Sequence, residues 1–600
     1  MVFGEGRFTI PRSGTILLLK CAPAAISTAQ VVKCAAQRAA GATWRIAAAS
    51  SAVEREIIVS LELDPSLRAE QYHLRIMPAG VRMTGRDARA LFYAAQTFKQ
   101  LLRQFPDSIP AMEINDWPDF PARGVMLDIS RDKVPTMATL FALVDELAEW
   151  KINQLQLYTE HTFAYAAHPE VWATASPMTG EEILALDEYC RARFIELVPN
   201  QNSFGHMERW LRLPHYAPLA ESIDGSELPW GGRWQGPAGL CPGDSRSIEL
   251  IEELYDELLP HFTSRMLNVG CDETWDLGQG RSKAECEKLG KGRVYLNFLR
   301  KIHKLASDRG RTMQFWGDII LHQPELIREL PKDVIALQWG YFATHPFERD
   351  GKHFADAGIP FYVCPGTSTW QAFVQRTDNA LENLRSAAEG GLKNGAIGYL
   401  NTDWGDMGHH QYLPASYLGL AAGAAYSWCY ETNRDASIID MLNVHIFRDR
   451  AGVMGRLIYE LGNVYKLLGK PMHSATQLFR IVVPYPSEPI DRTQSLTIEQ
   501  LTNAEHEINS VMSSISDTRM DRPDADLIID EIQNSAALMR LACRLGRHYH
   551  APSESSAHAL STDLRHLIRE HRRLWLARNC EGGLRESSGL LEAVVGRLKT

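Results

Sequence analysis

Between Arg123 and Trp428 the chain repeats one local pattern eight times: a short apolar run fit for a buried strand, then a stretch with apolar residues at helical spacing. The runs are Gly124-Ile129, Gln154-Tyr158, Phe194-Val198, Arg265-Val269, Thr312-Trp316, Val334-Gln338, Pro360-Cys364 and Ile397-Leu400. Helical faces fall between them, such as Leu140, Val144, Leu147 and Ala148, or Leu250, Ile251, Leu254, Tyr255 and Leu258. Parallel strands cannot be joined by a tight turn and need a crossover, for which a helix serves. Eight such units over roughly 300 residues predict an α/β fold, a (β/α)8 TIM barrel.

A barrel accounts for about half of the 600 residues, so further domains are expected. Residues 1–115 hold short alternating runs, such as Glu56-Leu61 and Tyr72-Ile76, that read as strands. They are joined by a helix in which Leu91, Ala94, Ala95 and Phe98 share a face and Asp87 is the N-cap. This is a small α+β domain. Residues 116–430 form the barrel. Residues 431–600 read as an α-helical domain rich in Leu, Arg and Glu, with loops near Pro484-Tyr485-Pro486 and Pro552-Ser553. Such helices either pack on the barrel or make an oligomer contact, in the simplest case a homodimer.

Composition removes several classes of function. With 63 Lys+Arg against 73 Asp+Glu, the formal charge of -10 offers no footprint for a phosphate backbone, so no nucleic acid partner is expected. The apolar stretch Ile16 to Leu19, with Cys21-Ala22 beyond it, is too short for a spanning helix, and nothing later reaches membrane length. The ten cysteines include no Cys-x-x-Cys pair, which argues against a zinc knuckle or a disulfide framework and for a reducing, cytoplasmic location.

In a barrel the chemistry gathers where the strands end. Asp128 and Arg131 follow the first strand; Thr159, Glu160 and His161 the second; Asn200, Asn202 and His206 the third. Asp272 and Glu273 follow the fourth, Trp316 and Asp318 the fifth, Trp339 and Tyr341 the sixth. Thr367 and Trp370 follow the seventh, and Asp403, Trp404, Asp406 and His409 the eighth. Acids, amides and flat aromatic faces together suit a sugar ring. The sharpest element is Met266-Leu267-Asn268-Val269-Gly270-Cys271-Asp272-Glu273-Thr274, an apolar strand running into two adjacent acids. Two such carboxylates in a partly dry pocket do not ionise independently, and a retained proton supplies the acid that glycoside cleavage requires.

Four segments carry a family resemblance: Arg123-Gly124-Val125-Met126-Leu127-Asp128-Ile129-Ser130-Arg131, Pro199-Asn200-Gln201-Asn202-Ser203-Phe204-Gly205-His206-Met207-Glu208, Val269-Gly270-Cys271-Asp272-Glu273 and Thr402-Asp403-Trp404-Gly405-Asp406. With these the chain resembles glycoside hydrolase family 20, the exo-acting β-N-acetylhexosaminidases, and most resembles its intracellular hexosaminidase D-like branch. The resemblance implies a retaining reaction in which the substrate's own 2-acetamido oxygen is the nucleophile and an oxazolinium is the intermediate. It implies Glu273 as general acid and base and Asp272 as the group that orients the acetamido N–H. It implies Glu160 and His206 as their support. Arg123, Trp316, Trp339, Trp370, Asp403, Trp404 and Asp406 would bind the sugar. No metal and no organic cofactor are expected; the partner is an oligosaccharide or glycoconjugate ending in N-acetylhexosamine. The chain departs from the family pattern at Asn268 and at Asp132-Lys133, and no tyrosine for the acetamido oxygen is matched between Tyr362 and Trp370.

Three rivals follow. A β-N-acetylgalactosaminidase would differ in how the 4-hydroxyl is met, and a non-catalytic amino-sugar-binding barrel is opposed by the intact acid pair. A metal hydrolase is opposed by spacing: His206-Met207-Glu208 has no downstream Cys pair, and His409-His410 lacks the i, i+4 spacing of a helical zinc site.

Overall fold

A computed structural model describes residues 1–21, 23–50, 57–484, 493 and 495–598. Ala22, Glu56, Tyr485 and Pro486, named above, lie outside them. The first seven strands are β1 (Val2–Thr9), β2 (Ser13–Leu19), β3 (Thr43–Ala49), β4 (Ile57–Leu63), β5 (Tyr72–Met77), β6 (Gly80–Gly85) and β7 (Ser108–Asp116). They form one mixed sheet in the order β1-β7-β5-β6-β4-β2-β3. Helices Ile26–Ala40 and Ala88–Gln104 lie side by side against it. The second begins where expected: Asp87 accepts the Ala90 N–H at 2.9 Å, and Leu91, Ala94, Ala95 and Phe98 are all buried.

Eight parallel strands then form the barrel sheet. They are β8 (Ala122–Asp128), β9 (Gln154–Tyr158), β10 (Glu196–Val198), β13 (Met266–Asn268), β14 (Thr312–Trp316), β15 (Ile335–Trp339), β16 (Phe361–Cys364) and β17 (Gly398–Asp403), with a small hairpin, β11 (Ser226–Glu227) and β12 (Arg233–Trp234), between β10 and β13. The order β10-β9-β8-β17-β16-β15-β14-β13 leaves β10 and β13 at the ends. A single parallel bridge, Asn200 to Asn268, joins them through Asn268 N–H to Pro199 O and Gln201 N–H to Asn268 O, both 2.9 Å. All eight expected strands are present. The third and fourth are shorter at their starts than the apolar runs suggest; at Phe194 the chain is still turning out of a helix, with φ 59°.

Short strands leave room inside the barrel for polar side chains that bond to one another. Gln156 donates to Gln314 at 2.9 Å and accepts from Asn268 at 2.9 Å and from Asn200 at 3.3 Å. Asn268, a departure from the family pattern, is thus a fully buried member of an amide network, and its Oδ1 accepts from the Gly270 N–H at 3.0 Å.

The C-terminal helices Ile498–Met512, Ala525–His550, Glu554–Arg578 and Leu584–Arg597 pack each on the next, and Ala525–His550 meets the barrel helix Leu413–Trp428. They hold the chain that leaves β8: Cys580 N–H reaches Val134 O at 2.8 Å, and Thr136 N–H reaches Arg578 O at 2.9 Å. Among the described residues no helix is long and apolar enough to cross a membrane.

Candidate active site

The acid pair sits on a strained turn. Leaving β13 the chain takes positive φ at Gly270 (66°), Cys271 (70°) and Glu273 (47°), the last two in a region most side chains avoid. Cys271 is buried, and its carbonyl accepts from the Tyr295 hydroxyl at 2.9 Å. The Glu273 N–H donates to Asp318 Oδ2 at 3.0 Å. These contacts pin the turn on both sides.

His206, itself at φ 56°, brings its imidazole into the same space. Its Nε2 lies 3.3 Å from Asp272 Oδ2 and 3.3 Å from Glu273 Oε2, and its Nδ1 lies 3.6 Å from Glu160 Oε1. Burial lowers the imidazole's proton affinity, but the charge of Asp272, hydrogen bonds to Asp272 and Glu273 and the charge of Glu160 outweigh it, so His206 is held well above the ordinary histidine range. Both ring nitrogens then carry protons toward carboxylates. The donor atoms of His206, Asp272 and Glu273 lie within 4.8 Å of one another, a spread that also suits a small cation.

The carboxyls with raised proton affinity flank the pair. Burial pushes Glu160 up to about 7 against the opposing charge of Arg131. Burial, with the charge of Asp272, pushes Asp318 up to about 8. Glu160 also accepts from the Tyr158 hydroxyl at 3.0 Å.

Arg131 is the guanidinium of the site. It lies 3.2 Å from Asp128, 3.2 Å from Glu160 and 3.6 Å from Asp406, and it stands over the rings of Tyr158 and Trp404. Arg123, expected on the sugar, is instead at the opposite end of β8 and fully buried. It pairs with Glu70 at 2.8 Å, donates to the Tyr93 hydroxyl at 3.1 Å and to Lys151 O at 2.9 Å, and lies over the Trp428 ring. The physical reason is direction: the strand starts at Ala122, so Arg123 enters from the floor that faces the N-terminal domain.

The aromatic residues form one connected cage. Trp316 and Trp404 have ring centres 6.1 Å apart, Tyr158 meets Trp404 edge-on at 4.7 Å, and Trp339 stacks on Tyr341 at 5.2 Å. Tyr341 meets Trp370 edge-on at 5.0 Å, and its hydroxyl accepts from Trp404 Nε1 at 2.8 Å. Trp316 and Trp370 are closed off from solvent, whereas Trp339 and Tyr341 are partly open.

Asp406 is at the rim, accepting from Gln371 Nε2 at 3.2 Å. Asp403, expected on the substrate, is a correction: one of its oxygens accepts from Thr367 at 2.6 Å and from Thr369 at 2.7 Å, so it anchors the loop after β16. It is the last residue of β17 and is buried. Arg131, Asp318 and Tyr341 stand out in sequence only as residues at strand ends, with no signal for their roles. Trp275, whose ring centre lies 6.0 Å from His206, gives no sequence signal at all.

Comparison with known proteins agrees with this geometry. Residues 120–389 match the model of the glycosyl hydrolase family 20 catalytic domain, and residues 2–117 match that of glycosyl hydrolase family 20, domain 2. A beta-hexosaminidase of Akkermansia muciniphila is 24% identical over 292 residues, which span 43% of this chain and 58% of the relative. Hexosaminidase D of Homo sapiens is 26% identical over 225 residues, 36% of this chain and 42% of the relative. The chain therefore spans about half the length of these curated relatives. Among solved structures, a chitobiase of Flavobacterium johnsoniae superposes with a TM-score of 0.61 at 16% identity, covering 99% of this chain and 97% of the other.

Proposed function

The chain belongs to glycosyl hydrolase family 20, and from that premise we propose that it is an exo-acting, retaining β-N-acetylhexosaminidase that works through the substrate's acetamido group. The observation that carries this reading is that Asp272 and Glu273 converge on one nitrogen of His206 at 3.3 Å each. A retaining enzyme with its own nucleophile places two carboxyls on opposite faces of the sugar, about 5–5.5 Å apart. This family is the substrate-assisted exception to that scheme, in which the nucleophile is left to the substrate's acetamido group, and the pairing of Asp272 with Glu273 through His206 fits it.

Glu273 protonates the departing oxygen and later takes a proton from water. Asp272 receives the acetamido N–H and faces the positive charge that grows on the oxazolinium, in a site dry enough for that charge to matter. His206 holds both acids in place, Glu160 steadies His206, and Arg131 with Asp406 grips the outer hydroxyls through its planar fork. Tyr341 keeps a proton to donate to the acetamido oxygen, since its hydroxyl accepts from Trp404. The cage of Trp316, Trp339 and Trp404 covers the ring, with Trp370 behind it. Glu273→Gln should lower kcat on aryl β-N-acetylglucosaminide about 10²–10⁴-fold. An N-acetylglucosamine thiazoline should bind far more tightly than N-acetylglucosamine, as a mimic of the intermediate does; equal binding of the two would remove the substrate-assisted step. A second sugar reading, strict preference for terminal GalNAc, is decided by the ratio of rates on the two 4-nitrophenyl glycosides.

We place the protein in the cytoplasm, where its ten free cysteines suit a reducing compartment. Fractionation of the producing cell, with a periplasmic or secreted pool as the contrary result, tests this. A homodimer would use the outer face of the C-terminal helices, and sedimentation velocity reads it directly.

A further inference from the structure

The loop that carries Trp404 and Asp406 runs from the end of β17 to the helix Leu413–Trp428. Its backbone is left-handed at three successive residues, Met407 (φ 59°), Gly408 (φ 89°) and His409 (φ 49°), of which the first and last carry a side chain. Such a path persists only where its surroundings hold it. On the barrel side Gly405 N–H donates to Asp128 Oδ2 at 2.9 Å, and within the loop Gln411 Nε2 donates to Trp404 O at 2.6 Å. The far end rests on Lys133, whose Nζ donates to His409 O at 3.0 Å and to Gln411 O at 2.6 Å. His410 Nε2 also meets Ser587 O of the last helix at 3.0 Å.

Lys133, a departure from the family pattern, is buried. Burial pushes its ammonium down to about 7, against the charges of Glu531 and Asp403. Neither acid depends on it: both oxygens of Glu531 accept from Arg578, at 2.7 and 3.0 Å, and Asp403 accepts from Thr367 and Thr369. An ammonium buried in this way contributes little to stability; what its N–H groups serve is the loop. The C-terminal helices seat it. They bond the chain just beyond it at Val134 and Thr136, and the Trp575 ring of Glu554–Arg578 lies 4.9 Å from Nζ, with the Tyr412 ring at 5.4 Å. Tyr412 is tied to the same helices, since its hydroxyl meets His571 Nδ1 at 2.9 Å and accepts from Asn534 Nδ2 at 2.8 Å.

We propose that Lys133 is a positioning residue for the terminal sugar: through the carbonyls of His409 and Gln411 it sets the loop that presents Trp404 and Asp406. Sugar binding then depends on a side chain seated by the C-terminal helices. This rests on the reading of Trp404 and Asp406 as sugar contacts. Those two hold the ring and its outer hydroxyls before and during the reaction alike, so a shifted loop weakens binding more than turnover. A cavity of about 50 Å³ beside Lys133, lined also by Asp403, His409, Gln411, Tyr412 and Arg578, gives variants room. It admits water to the carbonyls that Lys133→Met would free. It also has space for the larger guanidinium of Lys133→Arg, whose fork offers a donor to each carbonyl.

The test is steady-state kinetics on aryl β-N-acetylglucosaminide, read beside thermal melting. Lys133→Met should raise KM about tenfold, the worth of one hydrogen bond to a sugar hydroxyl at 1.4 kcal/mol per decade. Its kcat should stay within about threefold of wild type, and its Tm within a few degrees. Lys133→Arg should bring KM most of the way back. A merely structural role leaves a different signature, a lower Tm and a smaller folded fraction at unchanged KM, because unfolded enzyme lowers apparent kcat alone. Unchanged KM in Lys133→Met, a Lys133→Met protein that does not fold, or a Lys133→Arg protein no better than Lys133→Met overturns the positioning role and leaves the hydrolase reading in place. A wild-type protein that cleaves no aryl β-N-acetylglucosaminide overturns the hydrolase reading, and the positioning role with it.

Discussion

Arg123 and Arg131 bracket one strand and differ in everything the sequence does not state. Both are positively charged, both flank the run Gly124 to Ile129, and either could fork onto sugar hydroxyls. Arg123 faces Glu70, Tyr93 and Trp428 on the barrel floor, and Arg131 faces Asp128, Glu160 and Asp406 at the mouth. Two substitutions separate them. Arg131→Met removes charge-assisted contacts worth about 1.5–3 kcal/mol, so kcat/KM of the folded protein should fall roughly 10- to 200-fold, and stranding Asp128 and Glu160 should lower Tm as well. Arg123→Met strands a buried Glu70 partner and should cost stability of about 3–5 kcal/mol, read as a lower Tm, with KM of the folded fraction unaltered. The reverse pattern would return the sugar contact to Arg123. At this scale the acid pair, His206 and the tryptophans at the strand ends are legible from residue type and position. Which arginine serves is not, because that depends on strand direction in three dimensions.

The element that aims the chemistry is the turn after β13. Three residues of strand, Met266–Asn268, carry the chain to Gly270, where the left-handed backbone swings Asp272 and Glu273 onto His206. A Cβ at Gly270 would sit 2.1 Å from Asn202 Oδ1, and its φ of 66° disfavours any side chain. Gly270→Ala should therefore displace the acids by a fraction of an ångström to an ångström and lower kcat about 10²-fold, while far-ultraviolet circular dichroism keeps its wild-type shape. Retained kcat would show that the turn tolerates the shift. The eight strands were readable because buried strands are short apolar runs. The turn was not, since positive φ at Cys271 and Glu273 is imposed by what Tyr295 and Asp318 hold.

Across the whole molecule, Glu149 joins all three parts. It ends the barrel helix Met137–Glu149 and is fully buried. From the N-terminal helix Lys99 and Arg103 reach it at 2.6 Å each, and from the C-terminal region Arg448 reaches it at 3.6 Å. Burial would raise its proton affinity, but the charges of Lys99 and Arg103 win and hold its carboxyl well below the usual range. A carboxyl depressed on folding stabilises the fold above its unfolded pKa of about 4.3, and that stability drains away as pH falls toward the lower folded value. Glu149→Gln should cost about 3 kcal/mol at pH 7. It should also flatten the decline in Tm below about pH 4.3 that the wild type shows. A mutant with the same acid decline would place the titrating group elsewhere.

By itself the sequence determined the alternation that makes a barrel, the position of the acid pair at its fourth strand and the supply of aromatic faces, because these are properties of local pattern and of residue type. Tertiary structure alone decided which arginine faces the mouth, that Asp403 anchors a loop, that Trp230 of the hairpin between β11 and β12 meets Trp275 and that the C-terminal helices clasp the chain leaving β8. Each of those depends on which distant groups share a small buried volume, and proximity across hundreds of residues has no local signature.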